Sequence, residues 1–306
     1  MGYLYITIAS ILFSSQFAFT KQFQRHAGKG LQAAFLSYAV GPIAFILITL
    51  CTEGFDVQVT PFSLIFSAYT VLSTFLMGYF GIQALAAGSL SNYSIFMMSG
   101  CMILPCLYGV IWGNDTFGVF KILGILLILS SVLVKVNLKE KASLKTYLYL
   151  TVLFILNGMA GVVASIYQSD IFPYARPTAT QYALGNSLFT LIFGWIAFVI
   201  CFLVNDNRKK KELGKESAAL ERKQLLGGYV KAAPWSMGSG LVNSFGNLLL
   251  LFALETLQPS LQYPIITGGS ILLSAVIGLI FFKEKPDKRT WLAVVLAVVG
   301  TIVIIL

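Results

Sequence analysis

The sequence predicts an all-α integral membrane protein of ten transmembrane helices arranged as two inverted five-helix repeats (5+5). Three observations predict it: an apolar composition, ten apolar runs of membrane-spanning length, and motifs that recur between the two halves of the chain. Of 306 residues, 57% are hydrophobic and only 11% are charged, and the mean hydropathy is +0.82. A water-soluble fold needs roughly a quarter of its residues charged to cover its surface. A protein in a bilayer shows apolar side chains to lipid and confines charge to its connections.

About 20 mainly apolar residues are needed for a helix to cross the hydrocarbon layer. The runs that meet this length are 3–20, 31–52, 62–87, 89–112, 117–136, 146–170, 178–204, 231–256, 258–282 and 288–306. Only Gly88-Ser89 separates the third run from the fourth, and Gln258-Pro259-Ser260 the eighth from the ninth. No Lys or Arg precedes the first run, which is the wrong flank for a cleaved signal peptide, so that run is expected to remain as a helix.

The basic residues orient the helices. The connections after runs 1, 3, 5, 7 and 9 hold all of the 21 Lys and Arg residues except Lys121 and Arg176. Cytoplasmic connections retain basic residues. The odd-numbered helices are therefore expected to end in the cytoplasm, with both termini outside, and the expected setting is a bacterial plasma membrane. The connection 205–230 opens with Arg208-Lys209-Lys210-Lys211. It reads as a solvated, partly helical linker, with attraction to anionic lipid headgroups as the sharper alternative. The net charge of +9 does not point to nucleic acid, because the basic residues lie between apolar runs and not on one water-exposed face.

Cys51, Cys101, Cys106 and Cys201 lie in or at the ends of apolar runs without a CxxC pair, which suits packing residues. His26, the single histidine, sits in a basic loop and cannot build a metal site alone. No metal and no cofactor is expected.

An internal repeat divides the chain into 1–140 and 141–306. Residues 3–8 (Tyr-Leu-Tyr-Ile-Thr-Ile) recur 144 positions later as residues 147–152 (Tyr-Leu-Tyr-Leu-Thr-Val), and Ile11-Leu12 as Ile155-Leu156. Later in each half the offset is 169. It pairs Ala84-Leu85 with Ala253-Leu254, Ser91 with Ser260, Gly100 with Gly269, Gly109 with Gly278, Asp115 with Glu284 and Ser131 with Gly300. Five helices per unit is an odd number, so the second unit enters the membrane from the opposite side. Inverted halves related by an axis in the membrane plane are the architecture of alternating access.

The closing parts of the halves run from Ala84-Leu85 through Ser91-Asn92-Tyr93 to Asp115, and from Ala253-Leu254 through Ser260 and Gln262-Tyr263-Pro264 to Phe282-Lys283-Glu284-Lys285-Pro286. They resemble the paired EamA units of the drug/metabolite transporter superfamily. Such units close with a small-residue helix, an acidic residue after a hydrophobic run, and a final glycine-containing helix. Glu284 and Gly300 match that pattern, whereas Asp115 and Ser131 stand where glutamate and glycine are usual. The resemblance covers nearly the whole chain and implies a permease, often an exporter of metabolites or drugs, with its central cavity between the two halves. The proton-coupled cation exporters among its smaller relatives carry a glutamate in the first helix, where this chain has Ser14-Ser15-Gln16.

Charged side chains are absent from the centres of the ten runs. Asp170, Glu255, Asp115 and Glu284 lie at run ends, where rim or helix-terminus roles are expected. Uncharged polar groups must then build any substrate site. The candidates are Ser14 and Gln16 in the first run, Asn92 and Tyr93 in the fourth, Asn157 in the sixth, Asn186 in the seventh, Asn243 and Asn247 in the eighth, and Gln262 and Tyr263 in the ninth. Asn243 and Asn247 are four apart and share a helix face. An amide cannot face lipid, so each must meet a partner helix or a watery cavity. Small residues such as Gly158 and Gly161, or Gly268 and Gly269, would allow close helix approach, and Pro42, Pro105 and Pro264 could kink their helices.

These observations predict a secondary transporter, an exporter or facilitator of a small metabolite such as an amino acid, acting as a monomer or homodimer in contact with membrane lipid. A multidrug or cationic-compound exporter and a lipid-linked carrier flippase are the other transport readings. A membrane enzyme lacks paired buried carboxylates, a His cluster or a nucleophile with a base. No glycine-rich phosphate loop is present to use ATP.

Overall fold

The computed structural model describes residues 1–28, 30–54, 58, 60–87, 90–112, 118–134, 143–169, 177–282 and 288–305. Among the described residues there is no strand. Eleven α-helices follow in order: α1 (Gly2–Ala27), α2 (Leu31–Val40), α3 (Ile43–Glu53), α4 (Pro61–Ala87), α5 (Leu90–Ile111), α6 (Val119–Val134), α7 (Leu144–Gln168), α8 (Ala179–Leu213), α9 (Lys215–Leu254), α10 (Pro259–Phe282) and α11 (Lys288–Ile305). Among the described residues, six segments are long and apolar enough to cross a membrane: Gly2–Ala27, Leu31–Thr52, Pro61–Gly81, Leu144–Gln168, Ala179–Glu212 and Lys215–Leu254. Helix length and composition thus make the chain an α-helical membrane protein. Large apolar side chains such as Ile192, Ile196, Ile200, Leu126 and Val295 are exposed, as lipid-facing surfaces require.

Helix ends follow local chemistry. Pro61 occupies the first position of α4, where its missing N–H costs nothing, while Thr60 and Ser63 cap one another's backbone N–H at 3.1 Å. Ser143 caps α7 by accepting from the Thr146 N–H, and Thr178 with Gln181 forms a capping box at α8. Gly28 ends α1 at φ +82, a left-handed conformation that glycine adopts without strain.

Two segments differ from the sequence expectation. The second run is two helices, because Pro42 offers no N–H to the Tyr38 carbonyl. Gly41 N still donates to Ser37 O at 2.8 Å, and Ile46 N restarts the ladder on Pro42 O at 3.0 Å. The connection 205–230 is helical on both sides of one residue, Gly214, at φ +81. Its Lys, Glu, Leu and Ala residues are good helix formers. Pairs Arg208–Glu212 at 2.7 Å and Lys210–Asp206 at 2.5 Å tie successive turns of α8. Lys209 pairs with Glu221 across the bend. Hydropathy marks where apolar surface ends, which here is well before the helices end.

The chain forms two compact units, each discontinuous in sequence. One comprises Met1–Ser14, Leu72–Ala175 and Gly246–Leu306, and the other Ser15–Val71 and Arg176–Phe245. The repeat boundary at 140/141 lies outside the described residues, as do Gly88-Ser89, Asp115, Asp170, Arg176 and Glu284.

In the first unit α5 packs on α7, α6 on α11, and α10 on both α5 and α11. Glycines permit the close crossings. A Cβ at Gly100 would stand 2.2 Å from the carbonyl oxygen of Phe154, and one at Gly158 would stand 2.5 Å from that of Gly100. Gly124 and Gly300 meet reciprocally, each lacking room for a Cβ against the other's carbonyl. Gly269 of α10 lies against Ser10 of α1, its virtual Cβ 3.0 Å from the hydroxyl. Ala84 packs with Leu150 and Leu153, and Ala253 shares a core with Ile6, Met102, Ile128 and Tyr263.

In the second unit α8 packs on α2 and α3 around Phe23, Leu36, Ala39, Phe198 and Tyr229. Gly194 of α8 lies against the backbone of Tyr38 and Ala39, and Gly240 of α9 against Gly41. Both contacts are at the α2–α3 interruption. Ser236 donates to Ser37 O at 3.2 Å beside them.

Candidate functional site

Among the described residues, Ser14, Asn157, Gln262 and Tyr263 are engaged with backbone carbonyls of neighbouring turns or helices in the first unit. Ser14 is fully buried; its hydroxyl donates to Ser10 O at 2.7 Å and reaches Ser270 O of α10 at 3.5 Å. Asn157 of α7 donates from Nδ2 to Met97 O of α5 at 2.7 Å. Tyr263 of α10 donates to Gly161 O of α7 at 2.9 Å, and Ser165 lies within hydrogen-bonding reach of the same hydroxyl. Gln262, also fully buried, donates from Nε2 to Leu250 O of α9 at 3.0 Å. Such bonds hold helices together where no water competes.

Gln262 does more than join helices, because its Oε1 is buried without a hydrogen-bond partner. Leu250 and the next residue both have their carbonyls capped by glutamines: Gln168 of α7 donates to Leu251 O at 3.3 Å. These carbonyls belong to the last turn of α9, where carbonyls begin to lack partners within the helix. Gln168 was missed in the sequence because it lies at the end of an apolar run, where a polar residue reads as rim.

The second unit contains a separate polar cluster. Asn186 and Thr70 hydrogen-bond the buried hydroxyl of Tyr182, and Asn186 Oδ1 is buried without a partner. Asn186 was predicted; Thr70 and Tyr182 were not, since neither residue type is conspicuous in an apolar run. Gln16 and Asn243 are half-buried and Asn247 is exposed. The side chains of Asn92 and Tyr93 lie outside the described residues. Of the predicted groups whose side chains are described, Ser14, Asn157, Asn247, Gln262 and Tyr263 belong to the first unit and Gln16, Asn186 and Asn243 to the second.

A third polar group lies at the far end of α8. There a cleft of about 80 Å³ is lined by Gln32, Asn205, Asp206, Lys209 and Arg222. Asn205 donates to Gln32 at 3.0 Å, and the Arg222 guanidinium lies 5.5 Å from the centroid of the Phe202 ring. A cleft of that size admits a few water molecules. Glu255 and His26 are exposed.

Fold and site together define a class: an α-helical membrane protein with buried hydroxyl and amide groups at its helix crossings. A solved structure described as "Crystal structure of protein" matches with a TM-score of 0.70 at 14% identity, over 99% of this chain and 95% of that one. At that identity the likeness shows the fold alone. No family model matches the chain, and no curated protein does.

Proposed function

We propose that the chain is a secondary transporter of ten membrane-spanning helices in two inverted five-helix repeats, exporting or facilitating a small metabolite such as an amino acid. One observation carries this reading. The repeat offsets, 144 for the opening helix and 169 for the later ones, map one observed contact onto another. Gly100 against Phe154 becomes Gly269 against Ser10. The core pair Ala84 with Leu150 becomes Ala253 with Ile6. The Tyr149–Phe80 ring pair has its counterpart in Tyr5–Phe252, one helical turn from strict register.

Two halves that make equivalent contacts favour a molecule with two related packings, and in an inverted arrangement exchanging them exposes a site to opposite sides of the membrane. The EamA-like closing motifs agree with this reading. The buried oxygens without partners, on Asn186 and Gln262, are the best candidates for substrate contact, since a buried acceptor left unpaired costs free energy that a ligand donor recovers. Gln16, Asn243 and Asn247 join them as candidates. Ser14, Asn157 and Tyr263 act mainly as joints between helices. Amide and hydroxyl groups without a buried charge suit a neutral or zwitterionic solute better than a cation.

The experiment is a comparison of metabolites inside and outside cells with and without the gene, followed by uptake of the altered compounds into proteoliposomes. Saturable uptake of one of them is expected. A metabolite profile unchanged under several growth conditions, with no uptake above protein-free liposomes, overturns the proposal.

A further inference from the structure

We infer that the amino-terminal stretch of α9, Lys215 to Lys231, docks on acidic phospholipid headgroups; the inference rests on the reading of this chain as a membrane-embedded transporter. Helices of 35 and 40 residues are about 52 and 60 Å long at ~1.5 Å per residue, against a hydrocarbon layer of about 30 Å. Both helices must therefore continue beyond the membrane on the side where Gly214 joins them.

The extension is a braced hairpin. Lys209 pairs with Glu221, Arg222 covers Phe202, and Ala218 is buried. Three of its four acidic groups are occupied internally, Asp206 by Lys210, Glu212 by Arg208 and Glu221 by Lys209, and the fourth, Glu216, is exposed. Lys211, Lys215, Lys223 and Lys231 are exposed, and their positive charge is uncompensated by those pairs.

Helical spacing puts Leu220, Lys223, Leu226, Val230 and Lys231 on one side of α9, away from the stripe of Ala218, Tyr229 and Ala232 that packs inward. Leu220 is 65% and Val230 74% exposed. Ten residues separate them, about 15 Å along the helix, so a hairpin standing upright would leave Leu220 in water. A hairpin leaning on the headgroups places both apolar side chains in the interfacial layer, and Lys223 and Lys231 extend over them to phosphates. The positive surplus specifies an acidic headgroup as the partner.

The test is native mass spectrometry of the purified full-length protein in non-ionic detergent, titrated with phosphatidylglycerol or phosphatidylcholine. Phosphatidylglycerol should bind more tightly, and Lys223→Gln with Lys231→Gln should weaken it by about tenfold or more while leaving phosphatidylcholine unchanged. Lys223→Arg with Lys231→Arg should restore binding. Equal affinity for the two lipids, or phosphatidylglycerol binding indifferent to the glutamine pair, overturns the inference. Transport is not the readout, so failure of the transporter reading would show separately, in proteoliposome uptake.

Discussion

Gly100 lies so close to Phe154 that a Cβ at Gly100 would stand 2.2 Å from the Phe154 carbonyl oxygen. The pair that the proposed repeat sets against it, Gly269 and Ser10, is looser: its close contacts, at 3.0 and 3.2 Å, are with the Ser10 side chain. Backbone cannot move aside as a hydroxyl can. Gly100→Ala should therefore destabilise the protein more than Gly269→Ala, by about 1–3 kcal/mol for the first, in the range of overpacked cores. Unfolding temperature in detergent checks this, and equal losses would show that the two crossings are packed alike.

Asn157 and Asn186 should separate structure from function. Asn157→Leu removes the bond to Met97 O and leaves that carbonyl one partner short, which should cost roughly 0.6–2 kcal/mol. Asn186→Leu removes the bond to the Tyr182 hydroxyl together with an oxygen already without a partner, so stability should fall by less than in Asn157→Leu while transport falls. The paired measurements are unfolding temperature and proteoliposome uptake. Loss of stability in the second variant with transport intact would move Asn186 into the structural group.

The turn at Gly214 should be sensitive to any side chain. At φ +81 an L-residue costs about 1 kcal/mol or more, although nothing lies within 4 Å of the position where a Cβ would stand. Gly214→Ala should lower hairpin stability, read as faster proteolysis at the α8–α9 bend, and Gly214→Asn should do the same, because at ψ +165 the residue lies outside the left-handed well that asparagine tolerates.

Much of the fold was legible because bilayer physics writes long, simple patterns. The apolar runs overlap α-helices, the second run two of them, and six segments among the described residues are long and apolar enough to cross a membrane. Two features were hidden for physical reasons. A hydropathy run does not register a lost N–H, so the interruption at Pro42 was invisible within 31–52. Helix-forming charged residues carry α8 and α9 past the apolar limit, so the connection 205–230 reads from sequence as a solvated, partly helical linker where the structure has helix on both sides of Gly214. The site was less legible, because an amide in an apolar run has the same letter whether it joins two helices, as Asn157 does, or keeps an unpaired oxygen, as Gln262 does.

The inverted repeat is tested most directly by the sidedness of two equivalent positions. The proposed repeat relates Tyr3 to Tyr147, and both are exposed near the starts of α1 and α7. Single cysteines at Tyr3 and Tyr147, in a background lacking Cys51 and the other three cysteines, would be labelled with an impermeant thiol reagent in intact cells and in inverted vesicles. The account predicts labelling of Tyr3→Cys from outside only and of Tyr147→Cys from the cytoplasmic side only, with Lys210→Cys following Tyr147→Cys. Labelling of Tyr3→Cys and Tyr147→Cys from the same side would contradict it.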